Sequence, residues 1–329
     1  MGTRRTTASR AAPPGLPDEP LTDLAAAWRT HLEAEGKAPG TIRLYCGGVA
    51  AFTAWHAAQA PGMPVVTSSL DRRTASAFLA DMLRAGAAAA TARARYAALR
   101  QFTAWLLADG DVEADPLAGM RPPKLAQAPV DGLDAAELDA LVKACRVPAG
   151  AGRWEAFECL RDEAAVRLLA DTGMRAGELV GLDVDDVDLR RRVVVVTRAK
   201  GGKHRVSGFG PEAARALDRY LRKARKTHRL AHTPRLWLGT ANRGWTYHGL
   251  RGSLLRRAEA AGIAGFHPHR LRHTSASNWL RDGGSEQGAM AQFGWSSRAM
   301  LDRYTEDTKQ ERAVAEAHRL FEARQQRGR

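Results

Sequence analysis

The chain has 329 residues, 44% of them hydrophobic and only 6% aromatic, with a formal net charge of +14. That is too long for one ordinary compact domain and too apolar for a wholly disordered chain. No apolar run reaches the ~18 residues of a membrane span and the Arg-bearing start has no apolar signal core, which excludes a membrane or exported protein and leaves a soluble, cytoplasmic one as the expectation.

Residues 1–20, "MGTRRTTASRAAPPGLPDEP", read as a disordered tail. Four helices are predicted next, over 21–35, 40–59, 71–85 and 90–109, with Thr41 and Thr91 as caps. Leu99, Phe102, Leu106 and Leu107 mark an apolar stripe on the last of them. Together they make an N-terminal helical bundle over 21–114. The stretch "DPLAGMRPPKLAQAPV" carries four prolines and no period, so 115–131 reads as a linker.

A second, mostly helical domain is predicted over 132–307, opening with "GLDAAELDALVKAC". "CLRDEAAVRLLADTGMRAGELVGL" reads as a helix stopped at Gly173 and a second short helix. "RRVVVVTRAKGGKHRVSGFG" (191–210) is the one clear β signal, a strand, a Lys-Gly-Gly turn and a return strand. Residues 211–230 and 246–261 read as helices, and Pro268 starts another that runs to the glycines at 283 and 284. A last helix, within 308–329, places Ala313, Val314, Ala317, Leu320 and Phe321 on one face. Cys46, Cys145 and Cys159 are odd in number and lack CxxC spacing, which argues for buried thiols rather than disulfides or zinc.

The charge is unevenly spread. Lys and Arg against Asp and Glu count 14 to 11 over 1–130, 6 to 14 over 131–189, and 19 to 2 over 190–257. Self-repulsion in the last block points to a polyanionic partner, nucleic acid before a membrane surface, because no amphipathic anchor accompanies it.

Four stretches could carry chemistry. In "TGMRAGEL", Arg175 sits at a helix start, where it can bind phosphate or pair with Glu178. In "HPHRLRH", His269 and Arg272 are three apart on one helix face, with His273 one position further round. A metal site from His267, His269 and His273 is disfavoured by the neighbouring arginines. A His–Arg pair beside an anion fits better, imidazole exchanging the proton and guanidinium holding the charge. Lys200, or Lys203 in its place, could act as an acid from the hairpin. In "FGWSSRAMLDRYTED", Trp295 is a core residue or a hydrogen-bond donor, and Ser296 or Ser297 can cap the helix that ends near Tyr304. A phenol of pKa near ~10 needs a cationic field to attack, and these arginines, lysine and histidine would supply one. The parts fit attack on a phosphodiester, with no carboxylate cluster for magnesium and no cofactor called for.

In this order, "TGMRAGELVGL", "AKGGKHRV", "HPHRLRHTSASNWL" and "FGW" nine residues before Tyr304, the chain resembles the tyrosine recombinase (phage integrase) family, from about residue 20 to 310. The resemblance implies a mainly α fold with a small antiparallel β-sheet. An N-terminal helical core-binding bundle and a C-terminal catalytic domain would form a clamp on double-stranded DNA. It implies a site-specific recombinase of the two-domain Xer/Cre type, joined to DNA through a 3′-phosphotyrosyl link at Tyr304. Arg175 and Arg272 would hold the scissile phosphate, His269 would handle protons near the phenol, and Lys200 would protonate the leaving 5′-oxygen. Trp295 stands where most members have histidine; its indole donates one hydrogen bond but exchanges no proton. Lys203, Arg205, Arg243 and Arg270 are the further cations expected at DNA. A homo-tetramer on two duplexes is implied, with the C-terminal helix packed into a neighbouring subunit; the role (integration, excision or resolution) and accessory partners are left open.

This chain departs from the family pattern at Ala199, at "VSGFG", at "SEQGAMAQFGW", and in an insertion-like stretch "RVPAGAGRWEAF" between the first two helices of the catalytic domain. A type IB topoisomerase uses similar chemistry, and a DNA-binding accessory protein would share the fold. The N-terminal bundle and C-terminal helix argue against the first, and the complete set from Arg175 to Tyr304 against the second.

Overall fold

The computed structural model describes residues 18–124, 132–197, 204–240 and 244–295, together with 297, 301, 313, 314, 316–318, 321 and 322. The chain divides into two compact units, Met1–Ala128 and Pro129–Arg329.

The first unit is built from α1 (Leu21–Ala34), α2 (Pro39–Gln59), α3 (Arg72–Arg84) and α4 (Ala89–Asp109). Leu21, Leu24, Trp28 and Leu32 recur at helical spacing and are all buried, so α1 turns one stripe inward. Trp28 stacks on Tyr45 (5.8 Å between centroids) and tilts against Phe102 (5.1 Å), which joins α1, α2 and α4 around one aromatic centre. Leu99, Phe102 and Leu106 are in this core, whereas Leu107 faces solvent, one position round from the stripe. Thr41 and Thr91 lie inside their helices: their N–H groups donate to Ala38 and Ala88, which hold the cap positions without a side-chain acceptor. α3 has the better-built start, where Asp71 accepts from the Thr74 N–H at 2.7 Å and its own N–H donates to Thr74 Oγ1.

Gly48 sits mid-helix where α2 crosses α4, and a methyl group there would collide with that of Ala98. The glycine therefore lets two backbones approach closely at the cost of some helix propensity. Gly48→Ala is expected to destabilise the protein by about 1–3 kcal/mol through overpacking. A denaturation midpoint equal to the wild type's would show that this crossing tolerates the added methyl.

Both edges of this unit differ from the sequence reading. Asp18, expected in the tail, accepts from Thr67 Oγ1, Ser68 N and Ser68 Oγ, and Glu19 O takes the Thr67 N–H. At the other edge Asp115 pairs with Arg100 and Leu117 is fully buried, so the first residues assigned to the linker belong to the bundle.

The second unit is built round α6 (Arg153–Thr172), whose Ala164, Ala165, Val166, Leu168 and Leu169 are all buried. The insertion-like stretch contributes the first turns of this helix, which begins at Arg153. α5 (Ala135–Lys143) starts from a reciprocal Asp134–Glu137 cap. α7 (Ala176–Val180) follows α6, and then come β1 (Val187–Asp188), β2 (Val193–Val196) and β3 (Arg205–Gly208) in one antiparallel sheet of order β1-β2-β3. Val193 pairs with Gly208 and Val196 with Arg205; Val194 and Val196 are buried in the core. β1, a two-residue strand, has no sequence signal of its own.

α8 (Pro211–Arg219) runs into a π-helical turn, Tyr220–Ala224, and a 3-10 turn, Arg225–Thr227. The predicted helix to 230 stops there because Arg225 turns in and donates to the carbonyls of Ala231, Thr233 and Arg235. α9 (Tyr247–Ala260), α10 (His269–Arg281) and α11 (Glu286–Phe293) complete the unit. α11 is fastened to β3 by Ser207 Oγ donating to Gln292 O (2.7 Å) and by the Gln292 side chain bonding both backbone groups of Gly208. Cys145 and Cys159 are buried free thiols, and burial pushes Cys145 up to about 12. No described helix is long and apolar enough to cross a membrane.

Candidate active site

Four helix ends meet around Arg272: the C-termini of α6 and α11 and the N-termini of α7 and α10. α6 stops at Gly173, whose left-handed conformation (φ 56°) turns the chain so that Arg175 becomes the N-cap of α7. A Cβ on Gly173 would lie 2.7 Å from the Phe293 ring, so the turn also lets α11 come close. α11 stops in the same way at Gly294 (φ 65°), which delivers Trp295 to the site. Pro268 precedes α10 and places His269 in its first turn, with Arg272 one turn further in.

The Arg272 side chain is buried, at 2% exposure. It donates through Nη1 to Gly173 O and through Nη2 to Phe293 O (2.9 Å), and its guanidinium carbon stands 5.7 Å from the centre of the Trp295 ring. Both carbonyls sit at helix C-termini, where orphan acceptors and the helix dipole favour a cation. The fold thus carries a permanent positive charge below the surface, covered by an indole that is itself only 4% exposed.

Arg175 is more open, with 38% of its side chain exposed, and pairs with Glu178 Oε1 at 3.0 Å. Glu178 Oε2 accepts from the Arg175 backbone N–H at 2.9 Å and from Arg205 Nη2 at 2.7 Å. Burial works against the charged form of Glu178, but the Arg205 hydrogen bond and charge, with the bonds from Arg175, outweigh it and hold the carboxyl below its usual range. Arg175 thus pairs with Glu178, the second partner its sequence position offers, while part of its side chain still reaches solvent.

His269 forms a ring cluster with His267 (6.5 Å, stacked) and His273 (4.8 Å, edge-on). Burial, then the charges of Arg272, His267 and Arg175, hold the His269 imidazole below its ordinary value, so at pH 7 it is neutral and can accept a proton. His273 is buried, and burial with the charges of His269, His267 and Arg272 lowers it to about 4. The unfolded imidazole titrates near ~6.5, so as pH falls the unfolded state takes the proton first. The stability tied to a neutral His273 is whole above pH ~6.5 and is lost progressively towards pH ~4, by up to about 3 kcal/mol. His273→Phe should flatten the fall in urea midpoint between those pH values; an unaltered slope would assign the acid sensitivity to other groups.

The structure thus brings Arg175, His269, Arg272 and Trp295 to one site and adds Arg205 and Glu178. Lys200, Lys203, Arg243, Ser296 and Tyr304 lie outside the described residues. Two of the expected DNA contacts are placed otherwise. Arg270 turns inward to Gly132 O, Ala264 O and Glu137, tying the start of the catalytic unit to α10. Arg205, with only 9% of its side chain exposed, is an internal partner of Glu178. The basic block is also less available than its charge implied: Arg205, Arg219, Arg235 and Arg257 pair with Glu178, Glu163, Asp183 and Asp162, all from the acidic segment before it. Glu178 as a bridge was half legible, since a Glu three residues after a helix start is a capping-box signal. Its second partner, on a distant strand, leaves no local trace.

Residues 132–311 match the phage integrase family, and residues 25–110 match its N-terminal SAM-like domain. The tyrosine recombinase XerC of Mycobacterium bovis (strain BCG / Pasteur 1173P2) is 33% identical over 274 residues, covering 82% of this chain and 89% of the relative. XerC of Mycobacterium sp. (strain KMS) is 32% identical, over 83% of this chain and 90% of its own. Among solved structures, XerH bound to a palindromic difH substrate in a post-cleavage complex aligns with a TM-score of 0.69 at 17% identity, covering 89% of this chain and 85% of that one. A lambda integrase dimer bound to a COC′ core site aligns at 0.66 and 18%, over 87% and 77%. A helical two-unit fold with a small antiparallel sheet is thus shared with solved integrase and Xer recombinase structures. This chain belongs to the phage integrase family, the family that its four motifs resemble.

Proposed function

We propose that the protein is a site-specific DNA recombinase that breaks and rejoins duplex DNA through a 3′-phosphotyrosyl link at Tyr304, without metal or cofactor. The observation that carries the reading is the convergence of Arg175, His269, Arg272 and Trp295, from three separate motifs, on one site round a buried guanidinium. The Tyr304 oxygen attacks phosphorus and the bond to the 5′-oxygen breaks. His269 takes the phenolic proton and Lys200 gives one to the departing oxygen; the reverse steps reseal the strand. Arg175 and Arg272 supply the positive charge for the non-bridging oxygens, the part a metal plays in other phosphoryl-transfer sites. Phosphorus–oxygen bond energy is kept in the tyrosyl ester, so no nucleotide is consumed.

Residues 21–114 are assigned to core-site binding and 132–307 to catalysis, acting in the cytoplasm on nucleoid DNA. Assembly is proposed to be a homo-tetramer on two duplexes; a lambda integrase tetramer has been solved bound to a Holliday junction. Val314 and Phe321, helical and exposed at 52% and 57%, give the C-terminal segment apolar surface for a neighbouring subunit. The test is covalent trapping. Duplexes are selected from a randomised pool by binding to the wild type, then nicked beside each candidate phosphate so that the short cleaved strand diffuses away. Accumulation of a denaturant-resistant protein–DNA adduct supports the reading, whereas tight binding with no adduct on any duplex contradicts it.

A further inference from the structure

Arg205 opens β3, the strand that follows the segment bearing Lys200, and its side chain lies between two catalytic motifs. On one side Nη2 grips Glu178 Oε2 at 2.7 Å, and the same carboxylate holds Arg175 by its side chain and its backbone N–H. On the other side the stem packs on Gly294, where any Cβ would lie 2.8 Å from Arg205 Cδ and 3.1 Å from Nη1. Gly294 thus serves twice, as the left-handed end of α11 and as the floor on which the guanidinium rests. The buried Nε and Nη1 of Arg205 have no hydrogen-bond partner among the described residues.

An unsatisfied buried donor is costly, and a lysine or an apolar side chain would carry less of that cost. What neither could supply is a rigid, permanently charged plane that reaches Glu178 through Nη2 while its stem fills the space over Gly294. We propose that Arg205 is a positioning residue for strand cleavage: it fixes Glu178 and, through Glu178, sets the direction in which Arg175 faces the scissile phosphate. Arg205 does not contact DNA in this role. Arg175 is the exposed end of the Arg175–Glu178–Arg205 chain and Arg205 its buried anchor. The proposal rests on the recombinase reading above, since it assigns Arg205 a part in that reaction.

The test uses the full-length protein on the selected, nicked duplexes already described. Arg205→Ala is expected to bind within about threefold of the wild type and to cleave roughly 10- to 100-fold more slowly in single turnover, the loss that follows from misplacing a catalytic group by about 1 Å. Because Arg205→Ala strands a buried Glu178, the double variant Arg205→Met/Glu178→Gln serves as the folding control; it should regain melting temperature without regaining cleavage. A neutral methylphosphonate at the scissile position gives a readout that a merely structural role would not move. It removes the charge that Arg175 holds, so the gap between Arg205→Ala and wild type should narrow to about threefold, as should the gap for Arg175→Ala.

Cleavage by Arg205→Ala at the wild-type rate would overturn the proposal. So would a loss seen wholly in binding, recovery of cleavage in the double variant, or a gap unchanged on methylphosphonate. A wild type that binds these duplexes and never cleaves them overturns the recombinase reading and the proposal with it, whereas equal cleavage by wild type and Arg205→Ala overturns the proposal alone.

Discussion

Tyr304→Phe is expected to bind the selected duplexes as the wild type does and to form no covalent adduct, with cleavage reduced on the order of 10⁴-fold or more, as when other enzymes lose a covalent nucleophile. The substitution removes one oxygen and leaves the ring, so neither packing nor DNA contact gives it a reason to act elsewhere. In the proposed reaction the chemistry is specific to that oxygen. A phenol ionises near ~10, and only a field such as that of Arg175 and Arg272, with a neutral His269 to take the proton, makes it a usable nucleophile at pH 7. An adduct that persists in Tyr304→Phe would move the nucleophile to another residue, although the cationic site would stand.

The second large effect concerns Arg272, and there stability and catalysis separate. Arg272→Ala removes a buried cation from two helix C-terminal carbonyls, at Gly173 and Phe293, and opens a cavity beneath Trp295. Charge-assisted hydrogen bonds of this kind contribute about 1.5–3 kcal/mol each, so a loss of roughly 3–5 kcal/mol in unfolding free energy is expected. Arg272→Lys keeps the charge, but a single ammonium cannot reproduce a planar fork towards two carbonyls; it should recover part of the stability and little of the activity. Cleavage measured well below the melting temperature should fall by about 10²–10³-fold in both variants, the usual cost of removing a preorganised oxyanion partner. Near wild-type cleavage by Arg272→Lys would mean that charge alone matters and that the fork geometry towards Gly173 O and Phe293 O does not.

The helical scaffold was legible because its apolar residues keep the 3.6 period: α1, α2, α3 and α4 begin and end within about two residues of the positions read from spacing. Errors gathered where local signals compete. Thr41 and Thr91 were plausible caps by residue type, yet Pro39 and Ala89 already start the helices and leave the threonines one turn inside. Leu107 is apolar like the stripe but falls outside it, because successive helical residues diverge by 100°. Gly173, Arg175, His269 and Arg272 were readable from short motifs because helix ends place them. The Glu178–Arg205 pair and the pairing of the basic block with the acidic segment before it were not readable, since they join residues 27 or more apart through the tertiary fold. Regional charge is a sum, and a sum does not say which cations are already matched.

The central claim, that Tyr304 carries the DNA strand in a covalent link, is tested most directly by mapping the adduct. Wild-type protein trapped on a nicked duplex is digested with protease and nuclease, and the modified peptide is sequenced by mass spectrometry. The account predicts a nucleotide on Tyr304, attached through its 3′-phosphate, and on no other residue. A nucleotide on any other side chain, or a 5′-linkage at Tyr304, would contradict it.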